Sequence, residues 1–311
     1  MLSRIANNMF WMGRYLERTD HLARYINVEY FSSLDSPDPL FHTFALKSII
    51  DMVGLPEPSV PEPNEEQILV SAALDHDNPV SILSSLYSAR ENARGVREHL
   101  SSELWDAINN YYHFVSNYPI EVYKTRGLFD FTTGVMQYFS NVRGRIMYSL
   151  LKDVSWQFIQ MGMHIERSVQ TARILISKLT DIERIEQLKI GGPVKAQQWN
   201  VLLDCLEAKD MCRRFYASVP DRNTTLDFLL FNPYFPKSVV NNLNELRASL
   251  NSIENKLMAE RNSLAFKVGK VIGPLEYMGV EDIKDGTIQF LEETLKKIYT
   301  VSEMIETEYF S

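Results

Sequence analysis

The chain has 311 residues, of which 45% are hydrophobic and 23% charged. This is the usage of a folded globular protein with a large core, not of a disordered chain. The formal net charge of −8 and the lack of a basic stripe argue against nucleic acid as a partner. The opening MLSRIANNMF lacks the apolar stretch of a secretory signal, and no segment approaches the roughly 20 apolar residues needed to span a bilayer. A cytoplasmic protein without membrane attachment is expected.

The apolar periodicity is helical nearly throughout, and an all-α bundle in a single domain over 1–311 is expected. The first helix runs from Ile5 to about Phe31, and a shorter one from Pro39 to Met52 stops at Gly54. Pro56, Pro58, Pro61 and Pro63 cannot lie in a helix interior, so 54–64 reads as an acidic, extended loop. Helix restarts over Glu65–Leu74. Asn78 and Pro79 supply a cap and a first-turn residue for a helix to about Leu100. Ser101 and Ser102 cap the next, to Tyr118, and Pro119 opens another.

From Asn141 to about Leu179 there is no proline, so one long helix or a kinked pair is expected. The Gly-Gly-Pro at 191–193 ends a short following helix. Helix is expected again over Val194–Ala217, briefly over Thr224–Phe231, over Ser238–Arg261 after the rigid NPYFP turn at 232–236, and over Glu281–Phe310. The two cysteines, Cys205 and Cys212, lie seven apart in one apparent helix. Their rise of about 10.5 Å exceeds the reach of a disulfide, and reduced core thiols are expected.

Five residues recur at a spacing of 149. Gly13, Glu17, Arg18, Ala23 and Arg24 in WMGRYLERTDHLARY match Gly162, Glu166, Arg167, Ala172 and Arg173 in MGMHIERSVQTARIL. This pattern predicts an internal duplication of a long helix carrying a Glu-Arg pair. At about 100° per residue, Gly13, Glu17 and Arg24 share one stripe and Arg18 points away from it. The matched faces predict that the two helices are neighbours, with Gly13 and Gly162 permitting close approach. An antiparallel packing would set Glu17 opposite Arg173 and Glu166 opposite Arg24. Such pairs serve equally well to fix helix register or to line a site. Arg14, Glu17, Arg18, Asp20, His21 and Arg24 crowd the eleven positions 14–24 together with Tyr15, with Trp11 just ahead, which is more charge than an apolar seam requires.

A third segment, SARENARGVREHLSSELWDAIN at 88–109, holds Arg90, Glu91, Arg94 and Arg97. Three arginines at i, i+4 and i+7 share a helix face and suit a carboxylate or phosphate, or else form a solvated face paired with acids such as Glu98. The six histidines make no metal-ligand spacing, and no glycine-rich phosphate loop is present. No cofactor and no metal are expected.

The segments MLSRIANNMFWMGRYLERTDHLAR, ARENARGVREHLSSELWDAIN, GMHIERSVQTAR and DFLLFNPYFPKSV, in this order, resemble the signature blocks of the bacterial alpha-E family, all-helical proteins named for a Glu-Arg motif. The third block departs from the first, with Met163 and His164 where Arg14 and Tyr15 stand. The resemblance implies the company of ATP-grasp carboxylate-amine ligase-like proteins and, further off, transglutaminase-like proteases, and so amide- or peptide-bond metabolism. It sets the family motif on Glu17, Arg18, Glu166 and Arg167, with Arg90, Glu91 and Arg94 in the middle block.

Two functions follow as expectations. In one, the bundle holds an anionic amino acid or peptide, with Arg14, Arg18, His21, Arg24, Arg90, Glu91, Arg94, Arg167 and Arg173 binding it and Glu17 or Glu166 accepting a proton, as burial can raise a glutamate pKa. In the other, the protein is a scaffold whose charges only set register. An open pocket reaching the cluster favours the first, and a closed, mutually paired cluster the second.

Overall fold

A computed structural model describes residues 2–35, 39–54, 64–188, 192–254, 261 and 263–311. The chain is 82% helical, and no strand occurs among the described residues. The helices are α1 (Ser3–Leu34), α2 (Leu40–Val53), α3 (Glu65–Ala73), α4 (Ile82–Gly95), α5 (Ser102–Ser116), α6 (Ile120–Val122), α7 (Leu128–Tyr148) and α8 (Val154–Gln187). They continue as α9 (Gly192–Cys205), α10 (Lys209–Tyr216), α11 (Arg222–Leu226), α12 (Val239–Glu254), α13 (Leu264–Glu276) and α14 (Thr287–Tyr309). The chain divides into two compact units, one of Met1–Arg14 with Lys152–Ser311 and one of Tyr15–Leu151. Among the described residues no helix is long and apolar enough to cross a membrane.

Local chemistry explains most boundaries. Gly54 closes α2 in the left-handed region at φ 66°, where glycine carries no Cβ penalty. Asn64, Ser101 and Asp153 each accept a backbone N–H at the start of α3, α5 and α8, satisfying donors the first turn leaves open. The proline-rich stretch 55–63 lies outside the described residues, as do 255–260, just before the helix end expected near Arg261.

Several expectations are corrected. Asn78 does not cap a helix: its Oδ1 accepts the Val80 N–H and its amide donates to the Ser71 carbonyl, and Ser81 is the cap of α4. That helix stops at Gly95, and Arg97 lies on a following 3-10 turn, so the three arginines do not form one helical row. The proline-free stretch from Asn141 breaks between Ser149 and Asp153, because Asp153 offers a better helix start than continuation offers there. Gly192 opens a helix instead of ending one. Cys205 and Cys212 lie on different helices, since the chain turns at Glu207 with φ 54°; both are buried and neither forms a disulfide among the described residues. Helix α13, which accommodates Pro274 near its end, has no counterpart among the expected elements.

In the unit holding the C-terminal half, α8 packs against α9, α12 and α14. Nearly every residue from 158 to 172 is buried, polar ones included. A helix enclosed on all sides is ordinarily apolar, so its buried polar groups need partners. In the other unit, α1 from Tyr15 onward, α4, α5 and α7 enclose Phe131, Phe139 and Tyr111. The Tyr111 hydroxyl donates to Thr19 at 2.8 Å.

Candidate functional site

The start of α1 and the first half of α8 meet at their two glycines. A Cβ at Gly13 would overlap the Ile159 carbonyl and lie 3.3 Å from the Met163 nitrogen. A Cβ at Gly162 would overlap the Phe10 carbonyl and lie 3.2 Å from the Arg14 nitrogen. The contact is reciprocal at the 149-residue spacing, because Phe10 and Arg14 correspond to Ile159 and Met163. The expected close approach is observed.

The direction differs from the antiparallel expectation. Phe10 and Phe158 both stack on Phe310 near the end of α14, with centroids at 5.3 and 6.1 Å. Farther along, Arg14 donates to Ser302 at 3.1 Å and to Glu166 at 2.9 Å. Both helices therefore run in the same sense, opposite to α14. Only helices crossing in the same sense bring matched glycines together and keep Phe10 level with Phe158.

Glu166 is completely buried. One carboxylate oxygen takes the Arg14 Nε–H and the other takes the Gln170 amide at 2.8 Å. Arg14 is 5% exposed, and its guanidinium also lies 4.6 Å from the Trp11 ring centroid. Next along α8, Arg167 donates to Asn242 Oδ1 at 3.3 Å, and His164 Nδ1 lies 2.9 Å from the same oxygen. The Asn242 amide in turn donates to the Pro236 and Ser238 carbonyls. Thr171 donates to the Lys237 carbonyl, and Lys237 Nζ pairs with Glu207 at 2.7 Å. The Glu-Arg segment of α8 thus ties the start of α1 to α14, α12 and the NPYFP turn.

The α1 residues from Tyr15 onward belong to the other unit. Glu17 is 1% exposed and His21 fully buried. His21 Nδ1 stands 3.6 Å from Glu17 Oε1 and 3.1 Å from the Glu17 carbonyl oxygen. Glu17–His21 and Glu166–Gln170 occupy corresponding i, i+4 positions, so each buried glutamate has a polar side chain one turn later. Arg18 lies over Tyr15 at 5.3 Å. Arg24 pairs with Asp20 one turn back at 3.2 Å, and Arg173 is partly buried on α8.

The middle block does its work between α4 and α5. Arg90 donates to Asn109 at 2.7 Å and lies 4.9 Å from the Tyr112 ring, with Glu91 at 3.6 Å. Arg94, whose side chain is 67% exposed, pairs with Glu91 on its own helix. Arg97 lies 5.2 Å from Trp105.

Two features were not legible as sites in the sequence. One is a cavity of about 480 Å³ beside α3, lined by Tyr30, Phe31, Glu65, Tyr123, Lys124 and Phe129 among others. There Tyr30 donates to Glu65 at 2.6 Å, and His42 bridges Glu65 at 2.9 Å and Ser33 at 3.0 Å. Burial, then the Glu65 hydrogen bond and charge, push the Tyr30 phenol up to about 12. Burial favours a protonated Glu65, but the hydrogen bonds from Tyr30 and His42 and the His42 charge outweigh it and hold the carboxyl below its ordinary range. The other feature is a pocket of about 460 Å³ against the NPYFP turn. These residues lie far apart in sequence or in a turn, where no periodic signal announces them.

Comparison with known proteins returns an alpha-helical family. Residues 1–310 match Alpha-E, described as a predicted alpha-helical domain with a conserved ER motif; the chain belongs to this family. It is similar to Uncharacterized protein Mb2597 of Mycobacterium bovis and to Uncharacterized protein Rv2567 of Mycobacterium tuberculosis. Each is 25% identical over 275 residues, covering 80% of this chain and 30% of the relative. The chain therefore spans under a third of the length of these relatives. No solved structure matches significantly.

Proposed function

We propose that the protein is a helical component of an ATP-grasp-linked pathway that forms or modifies amide or peptide bonds, with its Glu-Arg network serving as framework and not as the reacting centre. The observation that carries the framework role is Glu166, enclosed on α8 with Arg14 on one oxygen and Gln170 on the other. A carboxylate held in this way is a structural acceptor, poorly placed to take a proton from a bound amine, because a general base must reach its substrate directly or through one water. Glu17 is equally enclosed.

Three considerations support the pathway. The ordered signature blocks resemble a family found with ATP-grasp ligase-like and transglutaminase-like proteins. The sequence has no phosphate-cradling loop of its own. The relatives carry this domain within chains more than three times the matched length, as expected of a module that works beside another. In this division of labour the ligase activates a carboxylate with ATP and the bundle presents the anionic amino acid or peptide.

The test is to assay ATP turnover and amide product with an ATP-grasp ligase from the same cell and with this protein, each alone and both together, over candidate amino acids and peptides. Product that depends on both supports the reading. Full product from the ligase alone, unchanged on adding this protein, overturns it.

A further inference from the structure

The NPYFP turn does more than connect helices. Asn232 is 4% exposed, and its Oδ1 accepts the N–H groups of Tyr234 and Phe235 at 2.9 and 3.1 Å. Those two bonds fix which end of the amide is oxygen. They leave the NH₂ of Asn232 as its remaining donor, with no hydrogen bond among the described residues. Asn232 lines the 460 Å³ pocket.

The charged group there is Arg214 on α10, which has neither ion pair nor hydrogen bond among the described residues. Apart from the largely exposed Tyr234, the remaining wall is apolar. Phe228 and Phe235 stack at 4.5 Å, and Phe215 and Met211, both about half exposed, stand at the rim. Volume, apolar walls and a few convergent polar groups are the usual attributes of a small-ligand site.

We infer that this pocket binds the carboxylate of an N-acylated residue with an aromatic or branched apolar side chain, such as the C-terminal residue of a peptide. The donors are an unpaired guanidinium and a largely buried amide NH₂, which suit an anionic oxygen pair. The aromatic walls accept the side chain. No lining residue is acidic, so the ammonium of a free amino acid finds no counter-charge, whereas an acylated nitrogen needs none. This rests on the pocket alone and does not depend on the amide-pathway reading.

The experiment follows the Met211 methyl signal of methyl-labelled protein, assigned with Met211→Leu, during titration with N-acetyl-phenylalanine, N-acetyl-phenylalanine amide and free phenylalanine. Saturable shifts are expected with the first, with affinity lower by about tenfold or more for the amide, for the free amino acid, and for the acid on Arg214→Gln. Arg214 is exposed and unpaired among the described residues, so the variant keeps the fold; its unchanged melting temperature verifies this. A blocked tripeptide ending in phenylalanine that binds more tightly than N-acetyl-phenylalanine marks a peptide as the source, and equal affinity marks a single acylated amino acid. Equal binding of acid and amide, or no saturable Met211 shift with any probe, overturns the inference.

Discussion

Arg14→Met removes one hydrogen-bonded cation from a completely buried carboxylate, Glu166, and keeps an unbranched side chain of comparable length. Met163, at the corresponding position of the second segment, shows that a methionine is accommodated beside such a helix contact. In the variant Glu166 retains Gln170 but loses Arg14 at 2.9 Å, and Ser302 loses the Arg14 donor at 3.1 Å. Removing one partner of a buried ion pair costs about 3–5 kcal/mol, a large part of a total stability on the order of 5–15 kcal/mol. With two compact units a single unfolding transition is not assured, so the appropriate assay is native-state hydrogen exchange of the α8 amides around Glu166. Their protection should fall by about 10²–10⁴-fold. Arg14→Met combined with Glu166→Gln removes the stranded charge and should recover at least half of the loss, which isolates the coupling. A loss below about 1 kcal/mol for Arg14→Met alone would refute the assignment of this pair as a buried framework contact.

Further outcomes follow from the same geometry. Gly13→Ala and Gly162→Ala force the helix backbones apart and should lower stability by about 1–3 kcal/mol. Gly144→Ala in α7 meets nothing within 4 Å and should gain up to about 1 kcal/mol; thermal melts of the three distinguish close approach from a generic effect of glycine. The folded pKa of Glu65 lies below its unfolded value, so its contribution is present above the unfolded carboxylate range and is lost as pH falls through the folded pKa. For Tyr30, raised to about 12, the contribution is complete below the ordinary phenol pKa and is lost as pH rises from about 10 through the folded value. Phenolate absorbance and carboxyl NMR titration should show both, and Tyr30→Phe should move Glu65 upward. Burial, then the Asp221 charge, push the Cys212 thiol up to about 11, so alkylation of native protein at neutral pH should be slow and should accelerate on denaturation.

The helical class and most helix starts were legible because capping residues and apolar period act locally: Asn64, Ser101 and Gly54 perform where they stand the roles their chemistry suggests. The Gly13–Gly162 contact was legible from spacing alone. Its direction was not, because a stripe of Gly, Glu and Arg is compatible with either sense of packing, and the deciding contacts come from Phe310 and Ser302, more than a hundred residues beyond the end of α8. The α9–α10 break at Glu207 was missed because a left-handed glutamate carries no compositional signal. The partner of Arg167, Asn242, lies one helix past a turn, and only the folded NPYFP segment aims it at α8.

The most direct test of the framework claim is Glu166→Gln, with Glu17→Gln beside it, measured for melting temperature and for amide product in the reconstituted ligase assay. The account predicts that product falls only in proportion to the folded fraction and returns when the assay is run below the lowered melting transition. A variant that melts like the native protein yet yields no product would contradict it and place a glutamate in the reaction.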